Sequence, residues 1–437
     1  MSLATPERIR KLQEGLYFKA KTECDSRFYT LYDKVWRADI LYHAYRLVRA
    51  NDGAPGVDGM TFDQIEAAGV EDWLAGLQHD LRTRQYCPSP VRRVMIPKNG
   101  GGERPLGIPT LRDRVVQMAA KLVLEPIFEA DFEPTAYGYR LGLSAGDAIR
   151  RVHNLLCQGY TDVVDADLSK YFDTIPHDAL LRCVARRVAD GSMLHLIKMW
   201  LKAPVEERDQ ERQRSLSGGA SSTCGTPQGG VISPLLANLY MNRMLKFWKK
   251  RDCGQRFQAE IVSYADDFVI LSRGNAGLAL KWVKEYLGRV GLVLNEKKTS
   301  LVDAKTEQFS FLGFSFGPHW YWKTGQVYMG ASPSAKSVSR IKETVEAVLQ
   351  PRNNKPWTEI RDDLNQKLRG WSAYFSYGSL WKSHKAVDHY VCERVRQFLA
   401  RRHKLPTRGC RRFSWDRIFG ELGIKELCRR KDAPSCA

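Results

Sequence analysis

Apolar residues recur at helical spacing over several long stretches of the chain. Between residues 30 and 50 they repeat every three to four positions, which predicts an amphipathic helix. Thr61-Phe62-Asp63-Gln64 has the residue order of a capping box and predicts a helix running toward Arg84. Further helices are predicted over 111–132, 228–248, 278–290 and from 334 onward.

Short apolar or alternating runs predict strands in the middle of the chain. Residues 90–97 and 104–109 flank Asn99-Gly100-Gly101-Gly102, which predicts a hairpin with a flexible tip. Residues 161–167 form a β-branched run, and 261–271 read as two apolar strands around an acidic turn. Strands are also predicted over 309–316 and 327–329. The predicted strands therefore lie between largely helical ends.

Positive charge is concentrated toward the C-terminus. The 437 residues include 68 Lys+Arg and 49 Asp+Glu, a formal net charge of +19. Residues 331–437 hold 23 of the basic and 11 of the acidic residues, a net charge of +12. Such a surplus favours a polyanionic partner, although a basic soluble protein without one has a similar composition. The uneven distribution favours a C-terminal domain that binds nucleic acid.

The ten cysteines are scattered, and none forms a Cys-x-x-Cys pair. A zinc ribbon or thioredoxin-type site is therefore not predicted, and a disulfide framework is not expected at this chain length. Residues 1–21 are interrupted by charges and lack the apolar stretch of a secretory signal. No segment approaches the roughly 18 apolar residues that span a bilayer. We therefore expect a soluble, reduced, intracellular protein that does not bind membranes.

Two acidic sequences adjoin predicted strands. Asp266-Asp267 lies between the apolar runs of the 261–271 segment, so a tight hairpin presents adjacent carboxylates. Alone, such a pair is usually a solvated turn, but a second strand ends in Asp165-Ala166-Asp167. Nucleotidyl transfer needs two Mg²⁺ ions, which carboxylates from neighbouring strands can hold. Asp167 and Asp266 form the natural bridging pair, but strand alternation leaves open whether Asp165 or Asp167 binds metal.

Five short sequences occur in the order found in the reverse transcriptase family. They are Asp-Leu-x-x-Tyr-Phe-Asp (167–173), Pro-Gln-Gly-Gly (227–230), Tyr-Ala-Asp-Asp (264–267), Asn-x-x-Lys-Thr (295–299) and Phe-Leu-Gly-Phe (311–314). Each is weak alone, but together they resemble that family over most of residues 90–316. The resemblance implies an α+β fold: a right-hand polymerase with an antiparallel sheet in fingers and palm, followed by an all-α thumb.

The same resemblance assigns roles to the carboxylates. It implies that Asp167, Asp266 and Asp267 are catalytic metal ligands and that Asp165 is structural. The backbone carbonyl of Leu168 is implied as a further metal ligand. The implied cofactor is a pair of Mg²⁺ ions, for which Mn²⁺ can substitute.

A nucleotide pocket is expected beside these carboxylates. Lys98 and Arg104 flank the glycine-rich hairpin, and paired cations suit a triphosphate. The resemblance makes this hairpin the fingertip and places Phe172 below the sugar 2′ position, where a bulky ring would select dNTP over rNTP. Gln228, before two glycines, is expected to contact the nucleotide, and Lys298 matches a family lysine. Lys98, Arg104 and Lys298 have a plain alternative as surface cations, and Phe172 has one as a core aromatic.

The C-terminal part resembles the maturase of bacterial group II introns. Residues 364–375 resemble the maturase-specific signature, residues 408–412 with Arg417 resemble the tail of that module, and the sequence Gly53-Ala54-Pro55-Gly56-Val57-Asp58-Gly59 resembles the N-terminal extension. The family implies a thumb that binds intron RNA to promote splicing, followed by target-primed reverse transcription. The cations expected to bind RNA are Arg369, Arg401, Arg402, Arg411 and Arg412.

This resemblance sets the expected domains and partners. The domains are an N-terminal extension with the start of the fingers (1–89), fingers and palm (90–329), thumb or maturase domain X (330–404) and a basic end of that module (405–437). The expected partners are group II intron RNA, an RNA template with a DNA primer, target DNA and dNTP. A homodimer and a location in the bacterial cytoplasm, close to the nucleoid, are also expected.

Three functional alternatives remain open from the sequence. Many family members carry an HNH endonuclease with paired cysteines, which these residues lack, so we expect no second-strand cleavage by this chain and priming from nascent strands at a replication fork. The host role is either an intron-encoded enzyme or a domesticated or CRISPR-associated reverse transcriptase. A maturase that acts only as an RNA-binding splicing factor is disfavoured, because Asp167, Asp266 and Asp267 are intact.

Overall fold

The computed structural model describes residues 3–97, 102–208, 214–321, 324–405, 407 and 409–428. Its helices are α1 Glu7–Thr22, α2 Tyr32–Val35, α3 Ala38–Ala50, α4 Phe62–Ala68, α5 Val70–Arg82, α6 Leu111–Glu129, α7 Ala145–Cys157, α8 Tyr171–Thr174, α9 His177–Ala185, α10 Gly191–Leu201, α11 Ser233–Lys250, α12 Cys253–Phe257, α13 Ala276–Arg289, α14 Ala335–Val348, α15 Trp357–Tyr374 and α16 Trp381–Arg402. Its strands are β1 Val91–Pro97, β2 Glu103–Ile108, β3 Asp162–Asp167, β4 Pro204–Arg208, β5 Arg214–Gly218, β6 Ala259–Tyr264, β7 Asp267–Ser272, β8 Ser300–Asp303, β9 Phe309–Phe311, β10 Phe314–Trp320 and β11 Val327–Pro333.

The N-terminal helices pack around α6, which is buried along most of its length. Thr110 begins α6 by accepting a hydrogen bond from the backbone N–H of Asp113. Helices α1 and α3 turn their apolar faces toward α6. The predicted capping box at Thr61 is present, but the single helix expected there is two helices. They are separated at Gly69, whose φ of +99° is incompatible with a continuous helix.

A fingers sheet has the strand order β2-β1-β4-β5. Strands β1 and β2 form the predicted hairpin, with Ile96 opposite Arg104. Strand β4 pairs in parallel with β1 and antiparallel with β5. The sequence did not predict β4 or β5, because both are rich in charged and polar residues without a clear apolar alternation. Their extended conformation comes with backbone pairing, of β4 with β1 and of β5 with β4.

A palm sheet has the order β6-β7-β3-β8, so the predicted strands around 161–167 and 261–271 are confirmed. Alternate residues of these strands face two different apolar clusters. Val164 and Phe268 belong to the large cluster shared with the fingers helices. Val163 and Val269 belong to a second cluster shared with β9, β10 and the end of α15. The palm sheet is therefore covered on both faces.

The thumb consists of α14, α15 and α16 around an apolar core of its own. Residues after α16 return to this core through Phe413, Ile418 and Ile424. Two buried polar side chains hold the returning segment: Asn365 donates to the carbonyl of Gly423, and the Asp388 carboxylate accepts from the backbone N–H groups of residues 427 and 428. Among the described residues, no helix has the length and apolar composition needed to cross a membrane.

Candidate active site

The palm sheet brings the predicted carboxylates together at one end. Strand β3 ends at Asp167, which lies directly opposite Asp267, the first residue of β7. Asp266 occupies the two-residue turn between β6 and β7, since Tyr264 pairs with Asp267. Ala265, the other turn residue, has φ +60°, a left-handed conformation that lets the chain reverse over two residues. The three carboxylates thus converge on one hairpin.

The strand register also distinguishes Asp165 from Asp167. Both project from the same face of β3, as alternation predicted, and directly opposite residues of a sheet share that face. Asp167 lies opposite Asp267, whereas Asp165 lies deeper in the sheet, opposite Val269. Burial and the nearby Asp167 carboxylate raise the pKa of Asp165 to about 6. Asp165 therefore lies two residues farther from the hairpin turn than Asp167.

Negative charge accumulates at the hairpin without a matching number of cations. Burial and the carboxylates of Asp266 and Asp167 raise the pKa of Asp267 to about 6, although part of its side chain is open to solvent. Burial raises the pKa of Asp266, while Arg104 opposes that rise. A divalent cation would relieve this repulsion, because it favours the ionised form of nearby carboxylates. Carboxylate oxygens on adjacent strands are also the donors that Mg²⁺ prefers.

Lys298 and Asn295 hold the Asp167 carboxylate in this structure. The Lys298 ammonium donates to Oδ2 of Asp167 at 2.9 Å, and the Asn295 amide donates to the same atom at 3.2 Å. The sequence missed Asn295, whose position in the Asn-x-x-Lys-Thr run was its only signal. Across the described ranges, no three His, Cys, Asp or Glu side chains converge as a complete metal-binding group. Mg²⁺ does not require such a group, because it retains water and substrate phosphates as ligands.

The fingers hairpin approaches the same carboxylates. Arg104 is exposed on β2 and close enough to Asp266 to oppose the rise that burial causes in the pKa of that carboxyl group. Tyr139, which the sequence did not suggest, lies within electrostatic reach of both Arg104 and Asp266. Lys98, the other expected phosphate contact, falls outside the described residues. One predicted phosphate-binding cation is thus near the carboxylates.

The Pro-Gln-Gly-Gly segment joins the fingers hairpin to the palm. Gly107 of β2 donates its backbone N–H to the carbonyl of Gln228 at 2.5 Å. Gly229 has φ +109°, and a Cβ there would lie 2.3 Å from the carbonyl oxygen of Gly107. This contact explains why the helix predicted from residue 228 begins only at Ser233. Gln228 is half-buried and lies where β2 meets the palm.

Phe172 lies on the short helix α8, five residues after Asp167. Its half-buried ring contacts the ring of Tyr171, with centroids 5.7 Å apart, and packs against the large core cluster. Its carbonyl accepts the backbone N–H of Thr226 at 2.7 Å, which places Phe172 beside the Pro-Gln-Gly-Gly segment. Leu168 has a buried side chain and forms an isolated antiparallel bridge with Leu294. The sugar-gate role of Phe172 and the carbonyl role of Leu168 stay predictions.

Known families match both parts of the chain. Residues 96–316, just over half of the sequence, match the family described as reverse transcriptase (RNA-dependent DNA polymerase). The chain belongs to the reverse transcriptase family. Residues 338–415 match the group II intron maturase-specific domain. This reverse transcriptase is therefore an RNA-directed DNA polymerase of a family that uses divalent metal ions, and its two domains imply RNA as a partner.

Individual relatives agree with this assignment. Protein YkfC of Escherichia coli strain K12 is 34% identical over 343 residues, which cover 70% of this chain and 87% of that protein. The group II intron-encoded protein LtrA of Lactococcus lactis subsp. cremoris is 34% identical over 247 residues, covering 56% of this chain but only 38% of LtrA. A Candida albicans telomerase structure matches with a TM-score of 0.43 at 12% identity. The match covers 79% of this chain and 67% of the telomerase chain, and no residue role is assigned from it.

The predicted RNA-binding arginines of this reverse transcriptase are all exposed on the thumb. Arg369 lies on α15, and Arg401 and Arg402 lie at the C-terminal end of α16. Arg401 and Arg402 line a groove of about 600 Å³ between α14 and α16, where Arg402 also donates to the carbonyl of Lys355 at 2.8 Å. Arg411 and Arg412 belong to the segment that follows α16. The five cations are thus spread over the module.

The maturase signature is joined directly to the polymerase core. Phe375, at the end of α15, contacts the ring of Phe314 in the Phe-Leu-Gly-Phe run, with centroids 5.0 Å apart. The Tyr374 hydroxyl donates to the carbonyl of Leu312 at 2.9 Å. Trp371 donates its indole N–H to the carbonyl of Ser337, and its ring lies tilted by 42° to the ring of Phe375, with centroids 5.0 Å apart. Phe375 of the signature is therefore buried in the contact with the polymerase core, Trp371 is half-buried, and Tyr374 is 46% exposed.

Proposed function

We propose that this reverse transcriptase synthesises DNA on an RNA template with two divalent cations, Mg²⁺ in the cell, held by Asp167, Asp266 and Asp267. The supporting observation is the register that sets Asp167 opposite Asp267, with Asp266 in the adjoining turn. When bound, such ions activate the primer 3′-hydroxyl and stabilise the leaving pyrophosphate. Mn²⁺ offers the same charge and a similar preference for oxygen ligands.

The chain's own residues have distinct tasks in this proposal. Arg104 binds the incoming triphosphate from the fingers hairpin, since it already lies close to Asp266. Gln228 is positioned for the nucleotide by its backbone contact with Gly107. Phe172 excludes a 2′-hydroxyl, and Lys298 keeps positive charge beside Asp167 until substrate arrives. The backbone carbonyl of Leu168 supplies one more oxygen ligand.

The RNA partner we propose is a group II intron, recognised by the basic thumb. The match of residues 338–415 to the maturase-specific domain supports this partner, as does the net charge of +12 over residues 331–437. Arginines on helices can contact phosphates and the 2′-hydroxyls of structured RNA. The protein would promote folding of that RNA for splicing and then copy the intron after it enters target DNA, primed at the target.

The test uses the RNA that flanks the gene. Wild-type protein is expected to accelerate splicing of that transcript and to extend an annealed DNA primer along it. Changing Arg401, Arg402, Arg411 and Arg412 together to Gln should weaken RNA binding. The plot of the logarithm of the binding constant against the logarithm of salt concentration should become shallower by about three, because fewer counterions are released when phosphate contacts are lost. Binding is measured by filter retention from low to high salt.

Two outcomes contradict the proposal. Primer extension without any effect on splicing of the flanking RNA would indicate a reverse transcriptase serving another host process. An unchanged salt slope in the quadruple variant would place the RNA-binding surface elsewhere. Lys336→Gln together with Lys382→Gln is the matched control, since both are exposed thumb cations outside the predicted set.

A further inference from the structure

The segment before Tyr139 runs along the edge of the palm sheet toward the catalytic hairpin. Ser263 of β6 donates its N–H to the carbonyl of Thr135 at 2.9 Å, and Tyr137 donates back to the carbonyl of Ser263 at 2.8 Å. Ser263 is followed by Tyr264 and the hairpin turn. The backbone at 138–140 is thereby directed to the tip that carries Asp266.

The residues before and after Tyr139 in the sequence, Gly138 and Arg140, are both held in place by contacts. A Cβ on Gly138 would lie 2.3 Å from the backbone nitrogen of Ala265, so this backbone touches the hairpin turn directly. The Asn238 amide donates to the carbonyl of Gly138 at 2.5 Å. Arg140 forms a largely buried ion pair with Glu129, with one Nε–Oε1 distance of 2.9 Å. The loop has little freedom to relax.

Tyr139 is held in a conformation that an aromatic residue rarely adopts. Its φ is +54°, in the left-handed region that costs free energy for a residue with a bulky side chain. Strain of this kind persists where the surroundings impose it, and it clusters at functional sites. Removing the strain would stabilise the fold, so a role for the side chain is the simplest reason for its retention.

Half of the Tyr139 side chain is left uncovered by the protein. It is 50% exposed, and within the described part of the chain its hydroxyl makes no hydrogen bond and its ring makes no ring–ring or cation–π pair. Partial burial raises the pKa of its phenol, with a further rise from the nearby Asp266 carboxylate and an opposing effect from Arg104. A half-exposed aromatic ring therefore lies within electrostatic reach of Asp266 and Arg104, on a backbone that touches the hairpin turn at Ala265.

We propose that Tyr139 contacts the incoming nucleotide, with its ring packed against the sugar and base and its hydroxyl free to bind a phosphate oxygen. Aromatic rings bind nucleotides by stacking in a sequence-tolerant way, as a polymerase that copies any template requires. Arg104 and Tyr139 then hold the nucleotide from two sides, above Asp266. This inference rests on the proposed polymerase function and adds a substrate-contacting residue to it.

Steady-state primer extension with Tyr139→Asn and Tyr139→Phe tests the proposal. Asn tolerates the left-handed region, so Tyr139→Asn should melt at the wild-type temperature or above it. Its KM for dNTP should nevertheless rise about 10-fold or more, the expected loss for one stacked ring, while its Kd for primer–template stays unchanged. Tyr139→Phe keeps the ring and should show a smaller rise. Tyr29→Asn, at an exposed tyrosine remote from the hairpin, should change neither constant.

Three results would overturn this inference. An unchanged KM for dNTP in Tyr139→Asn removes the nucleotide contact. Weaker binding of primer–template at an unchanged KM for dNTP would show that the ring contacts primer–template and not the nucleotide. A lower melting temperature in both Tyr139 variants, with kcat and both affinities falling together, shows a structural role. The proposed function fails separately, if Asp266→Asn combined with Asp267→Asn still supports synthesis.

Discussion

Two carboxyl groups in different regions of the molecule, Asp267 at the catalytic hairpin and Asp388 in the thumb, have their pKa raised to the same value of about 6. Burial is the largest cause at both. Asp388 is 1% exposed and its two oxygens accept backbone N–H groups of residues 427 and 428, at 3.0 and 2.8 Å. Asp267 is exposed to solvent, and its neighbours Asp266 and Asp167 carry the same charge.

The difference lies in what satisfies each group. Asp388 is satisfied within the fold, because it binds the returning C-terminal segment to α16, and it therefore acts as a structural clasp. Asp267 faces like charges that only an added cation would compensate. A raised pKa alone does not identify a functional site; the surrounding partners do.

The largest effect is expected when the two groups are changed in turn. Asp267→Asn should reduce primer extension by about 100-fold or more, since it removes a metal ligand, without lowering the free energy of unfolding. Asp388→Asn should lower stability and leave activity unchanged. The amide NH2 group cannot accept a hydrogen bond from the second buried backbone N–H, so the change should cost about 1–3 kcal/mol of stability, with unchanged activity per folded molecule. Denaturant unfolding and primer extension measure both; similar losses in the two variants would remove the contrast.

Nucleotide selection offers a second test, at a residue that is both packed and close to the catalytic centre. Phe172→Ala should increase rNTP incorporation relative to dNTP by about 10-fold or more, because the ring that blocks the 2′-hydroxyl of an rNTP is removed. Some stability should also be lost, since the ring is half-buried. Phe247→Ala, at a half-buried ring stacked on Tyr286, is the control for packing alone. Unchanged selectivity in Phe172→Ala rules out the sugar gate.

The smallest expected effect is the pH dependence of the stability that Asp388 contributes. The folded-state pKa of Asp388 is raised above its usual value of 3.8, so the folded protein holds this proton more tightly than the unfolded chain. Its contribution to stability is therefore present at low pH and is lost as pH rises through about 6. The stability advantage of wild type over Asp388→Asn should narrow as pH rises from 3.8 to about 6 and then stay constant at higher pH. A constant or widening difference over that rise would contradict the burial assigned to Asp388.

Much of the palm was predictable because its strands alternate clearly. The 261–271 hairpin and the strand ending at Asp167 both formed as expected. Strands β4 and β5 were missed because tertiary pairing, rather than apolar alternation, makes those polar residues extended. The helix expected from residue 228 begins at Ser233, since the glycines before it approach β2.

The site was predictable only in part. Asp167 and Asp165 were equivalent by alternation, and the register that separates them depends on pairing with a strand about a hundred residues away. Tyr139 gave no signal in the sequence, because strain, exposure and proximity to Asp266 exist only in the folded chain. The contact between Asn295 and Asp167 likewise exists only in the folded chain, where the segment between α13 and β8 lies against the end of β3.

Direct cation binding at the hairpin tests the central claim most directly. Mn²⁺ binding followed by electron paramagnetic resonance, with primer–template and a non-hydrolysable dNTP, should show ions bound to wild-type protein. It should show this binding lost in Asp266→Asn combined with Asp267→Asn, while RNA affinity stays unchanged. Equal Mn²⁺ binding by the two proteins would contradict the assignment of these carboxylates as the metal centre.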